Sequence, residues 1–335
     1  MTEAQLRSTY EAEKPALLAW GKFIVKSVIE KLEAKLGPDR PVRYFLKLWP
    51  VEPRLKDTKS LVAKAFWRGG KKYENPLSDI TDKMGARFVV LLLDDIRIVE
   101  SVIQGDDRWH AECARDFEEE RAAKPLYFDY QSLHYVVRAK CSFEHLSVLV
   151  PESTPCEIQI RTLLQHAYSE LTHDTIYKPK SALEAEKTDL LRKVARSMAL
   201  IESSDELFQT VADAIRQAES DLLTVLERAA KVFRSHLGEP KHADFRLVEF
   251  ILSPFRSSLP LISEKDLNEL FESRPYLAEF FRSHAVDSAL YETPLILIVL
   301  RLIIDDEDRV WRNWPIDRKV IEEIFSVFGL STERY

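Results

Sequence analysis

The sequence predicts an α+β or mixed α/β domain followed by an all-helical extension, and three observations carry that expectation. Strand-type segments, among them the apolar run Phe88–Leu93 and the alternating Glu157–Arg161, lie before residue 180. Helical periodicity precedes and follows them, with no strand signal from Ala182 onward. A count of 8 Gly against 16 Pro, with 31% charged residues, points to a helix-rich chain with few flexible connectors.

Taken in order, Leu17, Leu18, Phe23, Ile24, Val28, Ile29, Leu32 and Leu36 recur at helical spacing, predicting one long helix or two that Gly37-Pro38 ends. This segment, residues 1–40, is expected to pack on the domain formed by residues 41–180. Pro41 to Trp49 is rich in strand formers and reads as a strand, and Ser60 to Arg68 returns to helical spacing. Phe88–Leu93, followed by Asp94 and Asp95, reads as a strand buried on both faces with an acidic loop after it. His134–Arg138 and Glu157–Arg161 read as two more strands. The alternation of the second puts Glu157, Gln159 and Arg161 on one face and Ile158 and Ile160 on the other. Past Thr162 a helix is expected through His173 and Tyr177, with Pro179 as its breaker. A long amphipathic helical segment then fills residues 181–238, and short helices punctuated by Pro254, Pro260, Pro275, Pro294 and Pro315 make up a helical domain over 239–335.

Composition excludes several classes. A net charge of −7 argues against coating nucleic acid by bulk attraction. Three cysteines, Cys113, Cys141 and Cys156, include no CxxC pair, so neither a disulfide framework nor a thiolate zinc site is expected. The N-terminus has no basic flank before an apolar run, and the longest apolar stretch, Pro294 to Ile304, falls short of the roughly 20 residues that span a bilayer. A cytoplasmic protein with no membrane partner is the expectation, and Pro294–Ile304 reads as a core helix.

Against that acidic background one stretch is basic: Arg54, Lys56, Lys59, Lys64, Arg68, Lys71 and Lys72 are opposed only by Asp57. Alone, such a run is more often a solvated face. Here it precedes Asp79-Ile-Thr-Asp82-Lys-Met-Gly85-Ala-Arg87, then Tyr130-Gln-Ser-Leu-His134, then Glu157-Ile-Gln159-Ile-Arg161-Thr162. Moving a phosphoryl or pyrophosphoryl group needs cations around the phosphate oxygens, carboxylates for Mg²⁺, and a group to take the acceptor's proton. Arg54, Lys56, Lys59, Ser60 and Lys64 can surround a triphosphate, while Asp82 and Glu157, before and within neighbouring strands, can hold the metal. Asp79 reads instead as a helix-capping residue. His166 reads as a support of the fold, and Trp49, Trp67, Trp109, Trp311 and Trp314 as packing residues.

In order and approximate spacing these motifs, joined by the helix-type segment Gln165–Asp174 that ends in Tyr177-Lys178, resemble the synthetase domain of the RelA/SpoT family. The match covers roughly residues 40 to 180. The resemblance implies an α+β fold, a mixed sheet flanked by helices and related to nucleotidyltransferases. It implies transfer of the β,γ-pyrophosphate of ATP to a ribose 3′-hydroxyl with Mg²⁺. By the family pattern Arg54, Lys56, Ser60, Lys64 and Arg68 bind ATP, and Asp82 is the metal ligand. Glu157 is a second metal ligand or the base; Arg87, Gln159 and Arg161 orient phosphates and acceptor, and Tyr130 stacks on the acceptor base with His134 nearby. The family's hydrolase half is not expected, because the first 40 residues hold no histidine and the His173-Asp174 pair falls within the closing helix.

The sequence departs from the family at the acceptor loop. Where Pro-Lys-x-Asn-Gly-Tyr is usual, this chain has Pro125-Leu126-Tyr127-Phe128-Asp129-Tyr130. Loss of the lysine weakens the case for GDP or GTP, and the added aromatics favour a stacked base. Toxic small alarmone synthetases, which resemble enzymes that modify the 3′ end of tRNA, carry similarly altered loops. A guanosine nucleotide is the first expected acceptor and the tRNA 3′ CCA end the alternative. A catalytically inactive nucleotide-sensing regulator is a third reading, which Asp82 and Glu157 argue against. The 239–335 domain is open to homo-oligomer formation, inhibition in cis or contact with a regulatory partner.

Overall fold

The computed structural model describes residues 1–38, 40–67, 73–128, 131–175, 187–241, 244–284 and 289–331. Arg68, Lys71, Lys72, Tyr130, Tyr177 and Lys178 lie outside them. Two units divide the chain, Met1–Thr210 and Val211–Tyr335.

The first unit begins with helix α1 (Glu3–Leu36), a single helix. Thr2 and Gln5 cap its start reciprocally, and Gly37, at φ +71°, supplies the left-handed residue that ends it. Leu6, Tyr10, Leu17, Trp20, Ile24, Val28 and Leu32 follow one face of the helical repeat and are all buried against the sheet. Gly21 marks a close approach, since a Cβ there would stand 2.8 Å from Met84 Sδ and from Pro53 Cβ.

Pro41 to Trp49 is not a strand. Val42–Phe45 forms one helical turn, α2, and the residues after it bend. Val42 and Phe45, three apart, are buried while Arg43 and Tyr44 are exposed, so the segment buries a helical period rather than alternate residues. Then come β1 (Arg54–Leu55), α3 (Thr58–Val62) capped by Asp57, a π-helical turn over Ala63–Trp67, and the short helix α4 (Pro76–Asp79). Asp79 does cap: its Oδ2 accepts the Asn75 backbone N–H at 2.9 Å.

Strand β2 (Met84–Val90) takes only Phe88–Val90 of the apolar run; Leu91 beyond it is 40% exposed and Leu93 opens the next helix, and Asp94 and Asp95 are not a loop. They occupy the first turn of α5 (Leu93–Gln104), where acidic side chains meet the positive end of the helix dipole and Asp95 pairs with Arg40 at 2.6 Å. Strand β3 (Trp109–Arg115), α6 (Phe117–Ala123), β4 (Leu133–Ala139), β7 (Pro155–Thr162) and α7 (Leu163–Thr175) complete the mixed sheet and its helices, while β5 (Phe143–His145) and β6 (Val148–Val150) form a separate two-stranded hairpin. The strand order is β1-β2-β7-β4-β3, with β2 and β7 parallel and the other neighbours antiparallel. One sheet face, including Ala86, Phe88, Ile158, Ile160, Leu133, Tyr135 and Val137, is buried in the core beneath α1 and α5. The other face carries the polar side chains.

Helix α8 (Lys187–Leu237) runs across the division between units. In the second unit its Leu222, Val225, Ala229 and Val232 share a core with α9 (Phe245–Leu252), α10 (Glu264–Ser273), α11 (Tyr276–His284), α12 (Leu295–Asp305), α13 (Glu307–Asn313) and α14 (Arg318–Val327). The apolar run read as a core helix is α12, whose Leu295–Leu300 are all buried. Trp109, Trp311 and Trp314 are packing residues as expected; Trp49 and Trp67 are not, being 48% and 65% exposed.

Candidate active site

Asp82 sits in the turn before β2, with cations brought to it from two directions. Lys56 follows β1, and its backbone N–H donates to Lys83 O at 2.9 Å, extending the β1–β2 pairing by one residue. Lys64 comes from the π-helical turn. Both ammonium groups donate to Asp82 Oδ2, at 2.8 and 2.9 Å. Burial would raise the Asp82 pKa, but Lys56 and then Lys64 outweigh it and hold the carboxyl below its usual value. Two ammonium groups against one carboxylate leave a positive surplus. Arg54, exposed on β1, lies opposite Gly85 and therefore on the polar face of the sheet. Ser60, in α3, is half-buried and gives its backbone N–H to Asp57 Oδ1 at 2.9 Å.

The register across β2, β7 and β4 assembles the second part. Arg87 lies opposite Gln159, which lies opposite His134, and Glu157 has Gly85 on one side and Val136 on the other. Glycine leaves the space beside Glu157 open, since a Cβ at Gly85 would meet nothing nearer than Glu157 O at 3.5 Å. The Gln159 amide links its neighbours: Nε2 donates to Glu157 Oε1 at 2.8 Å, and Oε1 accepts from the Arg161 guanidinium. Arg161 is 1% exposed, so a full charge lies buried behind the amide. Arg87 pairs with Glu170 of α7 at 2.7 Å, and Arg115, at the end of β3, makes a two-pronged bridge to Glu120.

Burial, followed by the charges of Arg161, Arg115 and Arg87, pushes the His134 pKa down to about 4. His134 is therefore neutral at pH 7, and its 3.5 Å approach to Glu157 Oε1 is no ion pair there. Burial, then Arg87 and Arg161, lowers His166 as well, although Glu170 opposes them.

The structure thus gathers Lys56, Lys64 and Asp82 in one cluster and Arg87, Glu157, Gln159, Arg161 and His134 in another, on adjacent strands. Arg68 and Tyr130 lie outside the described residues. Glu157 is level with Gly85, three residues beyond Asp82. Sequence reasoning missed Arg115, Glu170 and the whole of β3. Trp109-His-Ala-Glu-Cys-Ala-Arg115 does alternate apolar with polar residues through Cys113, and that was the available signal.

Asp82 offers an observation on which to test a metal. Among the described residues its Oδ1 is buried with no hydrogen-bond partner, while Oδ2 takes both lysines. Mg²⁺ is typically held by one or two carboxylates, completing its shell with water and substrate phosphates. The residues fit that requirement, with Asp82 as the protein ligand.

A mixed sheet whose polar face joins a lysine-flanked aspartate to an arginine-rich patch defines a domain suited to polyanionic, phosphate-bearing ligands. Residues 53–182 match the family described as the region found in RelA/SpoT proteins, and this part of the chain is a RelA/SpoT domain. Every candidate site residue, from Arg54 to Arg161, falls inside it. The chain is also similar to the small alarmone synthetase 1 from Bacillus subtilis, with 20% identity and a TM-score of 0.41 over 59% of this chain and 98% of that one. The same synthetase bound to its product pppGpp gives 23% identity and a TM-score of 0.41 over 59% and 98%. A GTP pyrophosphokinase family protein from Streptococcus pneumoniae gives 23% identity and 0.48 over 62% and 94%. No curated protein matches the chain.

Proposed function

We propose that the chain is an ATP-dependent 3′-pyrophosphokinase acting on a guanosine nucleotide, GDP or GTP, to make (p)ppGpp. The observation that carries this is the Asp82 cluster: one buried carboxylate oxygen without a partner among the described residues, beside two ammonium groups and within a RelA/SpoT region. Lys56, Lys64 and Arg54 exchange their present surroundings for the triphosphate of ATP, with Ser60 and Arg68 assigned to the same site. The acceptor 3′-oxygen attacks the β-phosphorus, the bond from that phosphorus to the α,β-bridging oxygen breaks, and AMP leaves. Bound at Asp82, Mg²⁺ would neutralise charge on the phosphate oxygens during the transfer. Glu157 accepts the 3′-hydroxyl proton, or else supplies the second metal oxygen. Gln159 keeps Glu157 oriented by the hydrogen bond it already donates. Arg87 neutralises the equatorial oxygens of the moving group, Arg161 holds the Gln159 amide from behind, and Tyr130 and His134 form the acceptor's side.

A second reading makes the 3′ end of tRNA the acceptor. It is favoured by the acceptor loop, where Leu126 and Tyr127 are 88% and 75% exposed and no lysine follows Pro125. An exposed aromatic and aliphatic pair suits stacking on a polynucleotide end better than holding a free nucleotide's phosphates.

Both readings are tested by one assay with γ-labelled ATP, Mg²⁺, and GDP, GTP or bulk tRNA offered separately. Label transferred to GDP or GTP supports the first and label on tRNA the second; transfer to none of the three overturns both. Asp82→Ala is expected to lower the transfer rate by about a hundredfold or more, with the fold retained by circular dichroism.

A further inference from the structure

We propose that Tyr10, on α1 and outside residues 53–182, is a positioning residue that sets the spacing between the lysine and aspartate arms of the triphosphate site. This rests on the donor site proposed above.

The Tyr10 ring is fully buried and its hydroxyl lies 2.7 Å from Lys56 O and 3.1 Å from Lys83 O. One O–H thus joins the residue after β1 to the residue before β2, and these two carry or adjoin the groups that meet at Asp82. That junction needs support, because β1 and β2 are registered over only two residues, Arg54 with Gly85 and Leu55 with Met84. A two-residue strand gains little from its own ladder. Lys83 O also accepts the Lys56 N–H, so the hydroxyl completes a three-way junction of backbone groups.

Neighbouring residues of α1 grip the same segment from outside. Thr58 Oγ1 donates to Glu11 Oε1 at 2.6 Å, Lys14 Nζ donates to Thr58 Oγ1 at 2.9 Å, and the buried Lys83 ammonium pairs with Glu13 at 2.7 Å. Further along, Trp67 Nε1 donates to Glu3 Oε1 at 2.6 Å. Packing alone would be served by phenylalanine, since a buried hydroxyl is unfavourable unless it is hydrogen-bonded. Here both partners are backbone atoms of the site. Burial, reinforced by the charges of Glu11, Asp57, Asp82 and Glu13, pushes the Tyr10 hydroxyl up to about 12, so it keeps its proton at neutral pH.

Tyr10→Phe keeps the ring and removes only the bridge. The experiment measures calorimetric binding of a non-hydrolysable ATP analogue with Mg²⁺ to the full chain, alongside KM values for ATP and for the acceptor. The expected result is a five- to tenfold rise in the analogue's Kd and in KM for ATP, with acceptor KM within twofold. Unchanged analogue affinity, or equal changes in both KM values, overturns the proposal. Wild-type protein that fails to bind the analogue sinks the donor site itself rather than the role of Tyr10. Should Tyr10→Phe not fold, Thr58→Val decides, because it releases the Glu11 and Lys14 grip on the same segment. A two- to threefold rise in analogue Kd supports the proposal, and no change overturns it.

Discussion

Two helices flank the RelA/SpoT region in sequence, and they hold its domain by opposite means. Helix α1 lies on the apolar sheet face through Leu17, Trp20, Ile24 and Val28, each no more than 2% exposed. Residues 187–210 of α8 attach through polar groups instead. Gln131 Nε2 donates to Glu202 Oε2 at 2.6 Å, Arg121 pairs with Glu202 and Glu206 at 3.2 and 3.0 Å, Thr162 Oγ1 donates to Asp205 Oδ2 at 2.7 Å, and Gln209 Nε2 donates to Asp94 Oδ2 at 2.7 Å. Positions 202, 205, 206 and 209 form one helical face. Apolar Leu200, Leu207 and Phe208 are 69%, 64% and 46% exposed, and Met198 is fully buried. The contrast teaches that α1 lies on the sheet through an apolar term insensitive to pH and salt, with its polar grip through Glu11, Glu13 and Lys14 confined to the segment around Asp82. The α8 side, which touches Gln131 beside the acceptor motif and Thr162 at the end of β7, rests on titratable and screened contacts.

The largest expected effect comes from breaking the apolar half of this comparison. Trp20 is fully buried and packs edge-on against Trp109 and Phe143. Trp20→Ala should destabilise the first unit by about 3–5 kcal/mol, read as a loss of unfolding midpoint in denaturant. A shift no larger than a surface substitution gives would mean that α1 is not part of the core.

A smaller effect, and one that depends on pH, is expected at Asp205. Burial pushes its carboxyl up to about 6, against the Thr162 hydrogen bond, which pulls the other way. Between pH 4 and 6 the folded state therefore binds more protons here than the unfolded chain. Its contribution to stability is fully present below pH 4, falls as pH rises toward 6, and is absent above it. Asp205→Asn should remove up to one proton's worth of slope from stability measured between pH 4 and 6. It should leave the protein at least as stable as the wild type at pH 7.5. An unchanged pH profile would show that Asp205 is not the group responsible.

Much of this contrast could not be read from the sequence. The α1 periodicity, the Phe88–Val90 part of the apolar run, and the split of Glu157, Gln159 and Arg161 from Ile158 and Ile160 were legible, because burial against a sheet imprints a period on the chain. Gathering of Lys56, Lys64 and Asp82 was legible only as a set of residue types, since their meeting depends on the two-residue β1 pairing. Pro41–Trp49 misled because strand-forming residues there obey a helical turn set by Pro41 and two buried side chains. Helix α8 was legible as amphipathic, and that same pattern hid its docking, because periodicity implies that the apolar side faces the protein. Partners such as Thr162 for Asp205 and Arg121 for Glu206 are distant in sequence and follow no local rule.

The smallest effect sharpens the comparison from the polar side. Both Arg121–Glu206 partners are accessible, with side chains 29% and 57% exposed, so the ion pair itself is worth only about 0.5–1 kcal/mol and less in salt. Glu206→Gln should accordingly lower stability by no more than that at low ionic strength, and the difference from wild type should vanish near 1 M salt, where the screening length falls to about 3 Å. Combined with Arg121→Ala in a double-mutant cycle, the coupling energy should match the single-variant loss. A coupling that persists undiminished in high salt would place this contact with the buried interactions of α1, and the distinction between the two helices would then fail at its most exposed point.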